Sequence, residues 1–210
     1  MLRCLILALL AGMLGLSAQD ARSFKELSLG TNGCPRTNEG ASGAHRLSGA
    51  RPMMDVLGTE LFAKGARRQA QAFGVLDKEG LLQTLGSQKG SIVAIGFWST
   101  RCEPSMKMLQ EFRNFQKQTA NRKMNLVFWP VHFEPWPEVL SFLRTKNQYF
   151  DGVEVKRLGI GEHGLSQITD TLNVLPTVFL FDKEGGLAAT WTGYQENLLL
   201  TRINKLLAER

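Results

Sequence analysis

The chain has 210 residues, of which 43% are hydrophobic and 21% are charged, and its formal net charge is +6. These proportions are typical of a globular protein with one main core and exclude a fully disordered chain. The basic residues are scattered and are not interleaved with aromatic side chains. The positive charge therefore indicates a generally basic surface and argues against a nucleic-acid partner.

The first eighteen residues have the pattern of a secretory signal peptide. Arg3 precedes the apolar run CLILALLAGMLGL, and Leu16-Ser17-Ala18 supplies a cleavage site before Gln19. The run is shorter than the roughly 20 residues that a membrane-spanning helix needs, so we favour cleavage over a retained anchor. We expect an exported protein, periplasmic or secreted, with no stable membrane span after cleavage.

The composition of residues 19–72 predicts an N-terminal extension that is mostly irregular. This segment is rich in Gly, Ser, Arg and Asn and lacks a sustained apolar period, and one short helix is predicted within residues 53–73. The extension contains Cys34, whereas Cys4 belongs to the signal peptide. The mature chain would keep Cys34 and Cys102, in a compartment where disulfides persist.

A pattern of alternating strands and helices begins after Phe73. SIVAIGFW (91–98) is a nearly continuous apolar run, typical of a strand buried on both faces of a sheet. CEPSMKMLQEFRNFQKQ (102–118) has apolar residues at helical spacing, and NLVFWPVHF (125–133) predicts a second strand. Together these segments predict a β-α-β unit.

The rest of the chain predicts two helices, a hairpin and a closing helix. The helices are expected over residues 135–148 and 162–173, with a short strand at 152–158 between them. PTVFLFD (176–182) and LAATWTG (187–193) predict a β-hairpin, and an amphipathic helix closes the chain. This order predicts an α/β fold with helices on both faces of a central mixed sheet.

Cys102 falls where the first buried strand gives way to the first long helix. Unpaired backbone N–H groups and the helix dipole at such a position favour a thiolate. Arg101 would favour the charged form further and Glu103 would oppose it, while Pro104 suits the first turn of a helix. A small buried cysteine with no chemical role is the alternative.

The strings FWSTRCEPS and VLPTVFLFDKEG, in this order, resemble the two motifs of the thioredoxin superfamily, in particular its exported TlpA/ResA-like branch. The resemblance covers about residues 73–210 and implies a thioredoxin-like, three-layer domain there. In this comparison Cys102 matches the attacking cysteine, Trp98 the tryptophan of the first motif, and Pro176 the cis-proline that precedes Thr177. The implied activity is thiol–disulfide exchange.

Three positions depart from the family pattern. Ser105 replaces the resolving cysteine, Arg101 replaces the second tryptophan, and Gly96 stands where many thioredoxins have a buried acid. Ser105 can hydrogen-bond to a thiolate, but it cannot form a disulfide within the motif. The resemblance therefore implies monothiol exchange or isomerase-type activity, in which Cys102 attacks a client disulfide and an outside thiol, such as glutathione or a partner reductase, releases the client.

The expected clients are cysteine-containing or unfolded proteins, and other functions remain open. A redox-inactive module could bind polypeptides in a groove formed by Trp98, Pro176 and Thr177, and a single-cysteine peroxidase would instead oxidise Cys102 to a sulfenic acid. Cys34 is a candidate resolving cysteine, a candidate partner in a resting disulfide, or an incidental thiol.

No metal site and no cofactor are predicted. His45, His132 and His163 are too dispersed in the sequence for metal-ligand spacing. A copper site formed by His132 and Cys102 is the one alternative, and copper-binding proteins of this fold usually have two cysteines in the motif.

Overall fold

The computed structural model describes residues 27–29, 35–37, 60–119, 124–132, 134–146, 150–159 and 174–209. The predicted signal peptide, Cys4, Cys34 and the predicted helix at 162–173 lie outside these residues. Among the described residues, no helix is long and apolar enough to cross a membrane.

The described strands form two sheets. Strands β1 (Leu27–Leu29) and β2 (Pro35–Thr37) pair antiparallel as a small separate sheet. The large sheet has the strand order β4-β3-β7-β6-β5-β8-β9. Its members are β3 (Gly74–Leu76), β4 (Leu82–Thr84), β5 (Ile92–Trp98), β6 (Leu126–His132), β7 (Lys156–Leu158), β8 (Thr177–Phe181) and β9 (Leu187–Thr192).

The large sheet is mixed, because β5, β6 and β7 run parallel while β3, β4, β8 and β9 join it through antiparallel pairs. Every residue of β5 is buried, as expected for a central strand covered on both faces. Its side chains alternate between two apolar clusters, with Ala94 and Trp98 in one and Ile95 and Phe97 in the other. The sheet therefore separates two cores.

Three α-helices are described: α1 (Glu103–Thr119), α2 (Trp136–Thr145) and α3 (Leu198–Ala208). Each contributes apolar side chains to the cluster that contains Trp98, including Phe112 from α1, Val139 from α2 and Ile203 from α3. Pro137 lies in the first turn of α2, where its missing N–H group costs no intrahelical bond.

The predicted β-α-β unit, second helix, hairpin and closing helix are confirmed to within a few residues at each end. The β3–β4 hairpin was missed, although residues 77–80 repeat the Asp-Lys-Glu-Gly string of residues 182–185. In both turns the aspartate accepts backbone hydrogen bonds: Asp77 from Glu79 and Leu81, and Asp182 from Glu184 and Gly186. The repeated string is thus a turn signal in both places.

Residues 60–72 of the predicted extension contact the large sheet. The Phe62 N–H donates to the Ala188 carbonyl at 2.7 Å, and Gln69 forms a bridge with Gly186. Arg67 lies between two acids, 2.9 Å from Asp182 and 2.6 Å from Glu209. Of the helix predicted within 53–73, the described part contains a single 3-10 turn, Lys64–Ala66. The domain limits at residues 18 and 72 stay predictions.

Candidate active site

Cys102 lies immediately before α1, at the end of the sheet where β5 stops. Its N–H donates to the Ser99 carbonyl at 3.2 Å, which closes a tight turn after Trp98. Its own carbonyl accepts from the N–H groups of Ser105 at 3.0 Å and Met106 at 3.3 Å, so it acts as the first acceptor of the helix. The predicted strand-to-helix position is therefore confirmed, and the positive end of the helix dipole lies at this cysteine.

Cys102 is disulfide-bonded and fully buried in this structure. Its partner cysteine lies outside the described residues. The Cys102 Sγ atom is 3.4 Å from the carbonyl oxygen of Leu175. Because a disulfide sulfur has no proton to donate, the two atoms are in packing contact only. After reduction, the Cys102 thiol could donate a hydrogen bond to the Leu175 carbonyl.

The segment beside Cys102 contains a cis peptide bond between Leu175 and Pro176. The Pro176 carbonyl accepts from the Gly193 N–H at 2.7 Å, and the Thr177 hydroxyl donates to the Val174 carbonyl at 2.5 Å. These bonds fix the segment at the start of β8, against the cysteine. The structure thus brings Cys102 and the predicted proline together.

The three residues predicted to form the client-binding groove are buried. Trp98 is fully buried, and Pro176 and Thr177 are also buried. The three residues are therefore little exposed in this disulfide-bonded state, and the client-binding groove stays a prediction.

Ser105 lies in the first turn of α1 and is fully buried. Its Oγ atom makes no hydrogen bond with any described residue. Since Cys102 holds no thiolate in this state, the predicted hydrogen bond from Ser105 to the cysteine is not formed. The hydroxyl occupies the position where a second cysteine would lie in a Cys-x-x-Cys motif.

The two residues predicted to tune Cys102 have other partners. Arg101 is exposed, and its Nε lies 3.7 Å from a carboxylate oxygen of Glu134. Glu103 is also exposed and pairs with Lys107 one turn along the helix, at 3.2 Å. Each charge is therefore paired with an opposite charge, and its influence on Cys102 stays a prediction.

Gly96 lies at the centre of β5, opposite Val178 of β8. A Cβ atom at this position would lie 2.7 Å from the Met108 Cε and 2.9 Å from the Phe112 Cζ. Both neighbours are buried. Met108 and Phe112 therefore fill the space beside the strand, and an acidic side chain has no room there.

Glu134 is the site residue that was missed from the sequence. It follows β6 and is nearly buried, and its carboxylate accepts hydrogen bonds from Ser99 and Thr100. A signal for it existed: β5 and β6 are parallel, so the residues after both strands meet at one edge of the sheet. An acid two residues after β6 is therefore placed near the turn that follows β5, a signal that the sequence analysis did not use.

His132 is buried at the end of β6, where its ring stacks on Trp136 with 5.1 Å between centroids. Burial lowers the pKa of His132 to about 4, and the bond of its Nδ1 to the Glu134 carbonyl at 3.0 Å opposes that shift. Among the described residues, no group of three or more His, Cys, Asp or Glu side chains could hold a metal ion. The His132 ring contacts the rings of Trp98 and Trp136, and Glu134 and Arg157 are the charged residues that act on it.

No family model and no curated protein matches the sequence. Solved structures do match. A protein described as the thiol:disulfide interchange protein DsbE from Chlorobium tepidum aligns with a TM-score of 0.55 and 20% identity, over 68% of this chain and 97% of that one. A second thiol:disulfide interchange protein from Chlorobium tepidum TLS, of the thioredoxin family, aligns with a TM-score of 0.54 and 21% identity, over 69% and 98% of the chains.

This chain has the thioredoxin fold. A protein described as a protein disulfide isomerase from Bacteroides thetaiotaomicron also shares it, with a TM-score of 0.54 and 18% identity over 71% of this chain and 94% of that one. The α/β thioredoxin-like fold expected from the two sequence motifs is confirmed. On this fold, Cys102 and Pro176 occupy the positions that the motifs predicted.

Proposed function

We propose that this chain is an exported thioredoxin-fold protein that exchanges thiols and disulfides through Cys102, the single cysteine of its motif. The observation that carries the proposal is the setting of Cys102. It is the first hydrogen-bond acceptor of α1, its sulfur lies 3.4 Å from the Leu175 carbonyl, and it is already disulfide-bonded. The names of the matched thiol:disulfide interchange proteins support the same chemistry.

The reaction begins when an outside dithiol or glutathione reduces the resting disulfide and leaves Cys102 as a thiolate. The thiolate attacks one sulfur of a client disulfide, so that a Cys102–client bond forms, the client S–S bond breaks, and the other client sulfur leaves as a thiolate. A second thiol then attacks the client sulfur of the mixed disulfide, so that a disulfide forms between this thiol and the client and Cys102 leaves as a thiolate. Ser105 cannot supply this thiol, because a hydroxyl does not form the required S–S bond.

Cys34 is the proposed partner of Cys102 in the resting disulfide. The chain has three cysteines, and Cys4 belongs to the predicted signal peptide, which leaves Cys34 for the mature protein. Cys34 directly precedes β2. A disulfide between these residues would protect Cys102 until an outside thiol opens it, and the released Cys34 could then resolve a mixed disulfide.

The redox-inactive binding module is less well supported. It would hold a polypeptide beside Pro176 and would have no use for the disulfide bond that Cys102 forms. A cysteine at the start of a helix would also have no role in such a module. The two functions predict opposite effects of Cys102→Ala: disulfide exchange would be lost, whereas polypeptide binding would persist.

The test uses reduced mature protein and a fluorescent glutathione disulfide. Wild type should release the fluorophore, and Cys102→Ala, made in a Cys34→Ala background so that the predicted mature chain has no other thiol, should lose this reaction completely. Cys34→Ala should still attack but should accumulate the mixed disulfide at Cys102, detectable as a mass increase that reductant removes. Activity retained by Cys102→Ala, or no reaction of the reduced wild type, would reject the proposal.

Ser105→Cys provides a gain-of-function control. The new thiol lies in the first turn of α1, three residues after Cys102 and at a buried position. In a Cys34→Ala background it should shorten the lifetime of the mixed disulfide by attacking it from within the motif, and peptide mapping should find a bond between residues 102 and 105. If the mixed disulfide persists as in Cys34→Ala, the assignment of Ser105 to the resolving position is wrong.

A further inference from the structure

The carboxylate of Glu134 holds the residues that precede Cys102. It accepts from the Ser99 hydroxyl at 2.8 Å, the Thr100 N–H at 2.9 Å and the Thr100 hydroxyl at 2.8 Å. Ser99 Oγ in turn accepts from the Arg101 N–H at 3.2 Å. All three residues between Trp98 and Cys102 are thus connected to one carboxylate.

Glu134 is itself fixed in place. It lies between the end of β6 and the start of α2, and its carbonyl is bonded to the His132 ring at 3.0 Å. Its side chain is 8% exposed. A charged group this buried is stable only when donors compensate for the lost water, and the Ser99 and Thr100 donors do so.

Glu134 also balances charge beside the cysteine. Its Oε1 atom is 3.7 Å from Nε of Arg101, the residue next to Cys102. Glu103 and its partner Lys107 lie on the exposed face of α1. The nearly buried Glu134 is screened least by solvent, so its charge should affect Cys102 more than that of Glu103.

We propose that Glu134 is a positioning residue for Cys102: it fixes the Ser99–Arg101 turn that presents the cysteine at the start of α1, and it offsets the charge of Arg101. The inference rests on the proposed function. Two consequences follow. Loss of the carboxylate should slow disulfide exchange because the turn is released, and it should make the thiolate form at lower pH because a neighbouring negative charge is gone.

The test measures both consequences on the full mature chain after reduction. The rate of iodoacetamide alkylation, followed on the Cys102 peptide by mass spectrometry, gives the pH midpoint of thiolate formation. The rate of exchange with glutathione disulfide, at a pH above that midpoint, measures positioning. Glu134→Gln should move the alkylation midpoint to lower pH and reduce the plateau exchange rate by about tenfold.

Two variants separate charge from geometry. Glu134→Asp keeps the charge but shortens the side chain, so its midpoint should stay at the wild-type value while its plateau rate falls. Glu138→Gln makes the same charge change in the exposed first turn of α2 and should alter neither quantity. Circular dichroism establishes that each variant is folded.

The outcomes are distinct. A midpoint for Glu134→Gln equal to that of Glu138→Gln, a midpoint at higher pH, or an unchanged plateau rate would each overturn the positioning role. Because alkylation requires only a thiol, the midpoint still tests Glu134 if the wild type fails to exchange disulfides. In that case the proposed function is lost, and the midpoint decides the inference alone.

Discussion

The crowding at Gly96 predicts a measurable strain when this residue gains a single methyl group. In Gly96→Ala the new Cβ would lie 2.7 Å from Met108 Cε, 2.8 Å from Met108 Sδ and 2.9 Å from Phe112 Cζ. Overpacking of this kind costs about 1 to 3 kcal/mol. Alanine is better than glycine within a strand by roughly 0.5 to 1 kcal/mol, which offsets part of the strain. The expected net loss in the free energy of unfolding is about 1 to 2 kcal/mol.

Urea denaturation of the oxidised protein measures this loss, provided that the variant and wild type have equal m-values. The decisive comparison repeats the substitution in a Met108→Ala background, where two of the three close contacts are absent. There Gly96→Ala should be nearly neutral, which corresponds to a coupling energy of about 1 kcal/mol or more. Gly65→Ala is the matched control, because nothing lies within 4 Å of a Cβ at that exposed position. Equal losses in both backgrounds would show that Met108 does not crowd Gly96.

Two further predictions concern buried polar groups. The folded-state pKa of His132, about 4, is below its ordinary value of 6.5, so the free energy of unfolding should be highest above pH 6.5 and fall by about 3 kcal/mol as the pH approaches 4. His132→Phe should remove this part of the pH dependence from urea midpoints measured between pH 4 and 6.5, and a pH profile of the variant equal to that of wild type would count against the prediction. The second is a matched pair of buried serines: Ser105→Ala should stabilise the protein by about 1 kcal/mol because its hydroxyl has no partner among the described residues, whereas Ser99→Ala should destabilise it by about 2 kcal/mol because its bond to Glu134 is lost. Thermal unfolding checks the signs, and a loss of stability in both variants would contradict the prediction for Ser105.

The positions of Cys102 and Pro176 could be predicted because local sequence determines them. A buried strand that is followed within a few residues by Cys-Glu-Pro and a helical apolar pattern predicts a helix start near the cysteine, and Leu-Pro-Thr before an apolar run marks the start of a strand. The partners of Arg101 and Glu134 could not be found in this way. Their contact joins residues from two different segments, and it depends on the register of β5 against β6.

The sequence pattern also could not predict the burial of all the site residues. The apolar run of β5 predicted that Trp98 is buried, but burial of Pro176 and Thr177 depends on how β8 packs beside the cysteine. Likewise, the sequence shows only that Gly96 stands where many thioredoxins have a buried acid. Only the packing of Met108 and Phe112 against it shows that the site has no space for that acid.

The hydrogen bond from Phe62 to Ala188 and the ion pair of Arg67 with Asp182 hold the segment by which the chain enters the folded domain. Asp182 follows β8 at the level of Val93, near the start of β5, whereas Cys102 follows the other end of that strand. A seven-residue strand is about 23 Å long. The chain between Cys34 and Phe62 has a contour of about 95 Å when fully extended. The distance along the sheet therefore does not limit a Cys34–Cys102 bond, and deletions within residues 38–59 should be tolerated until the remaining contour approaches the length of β5.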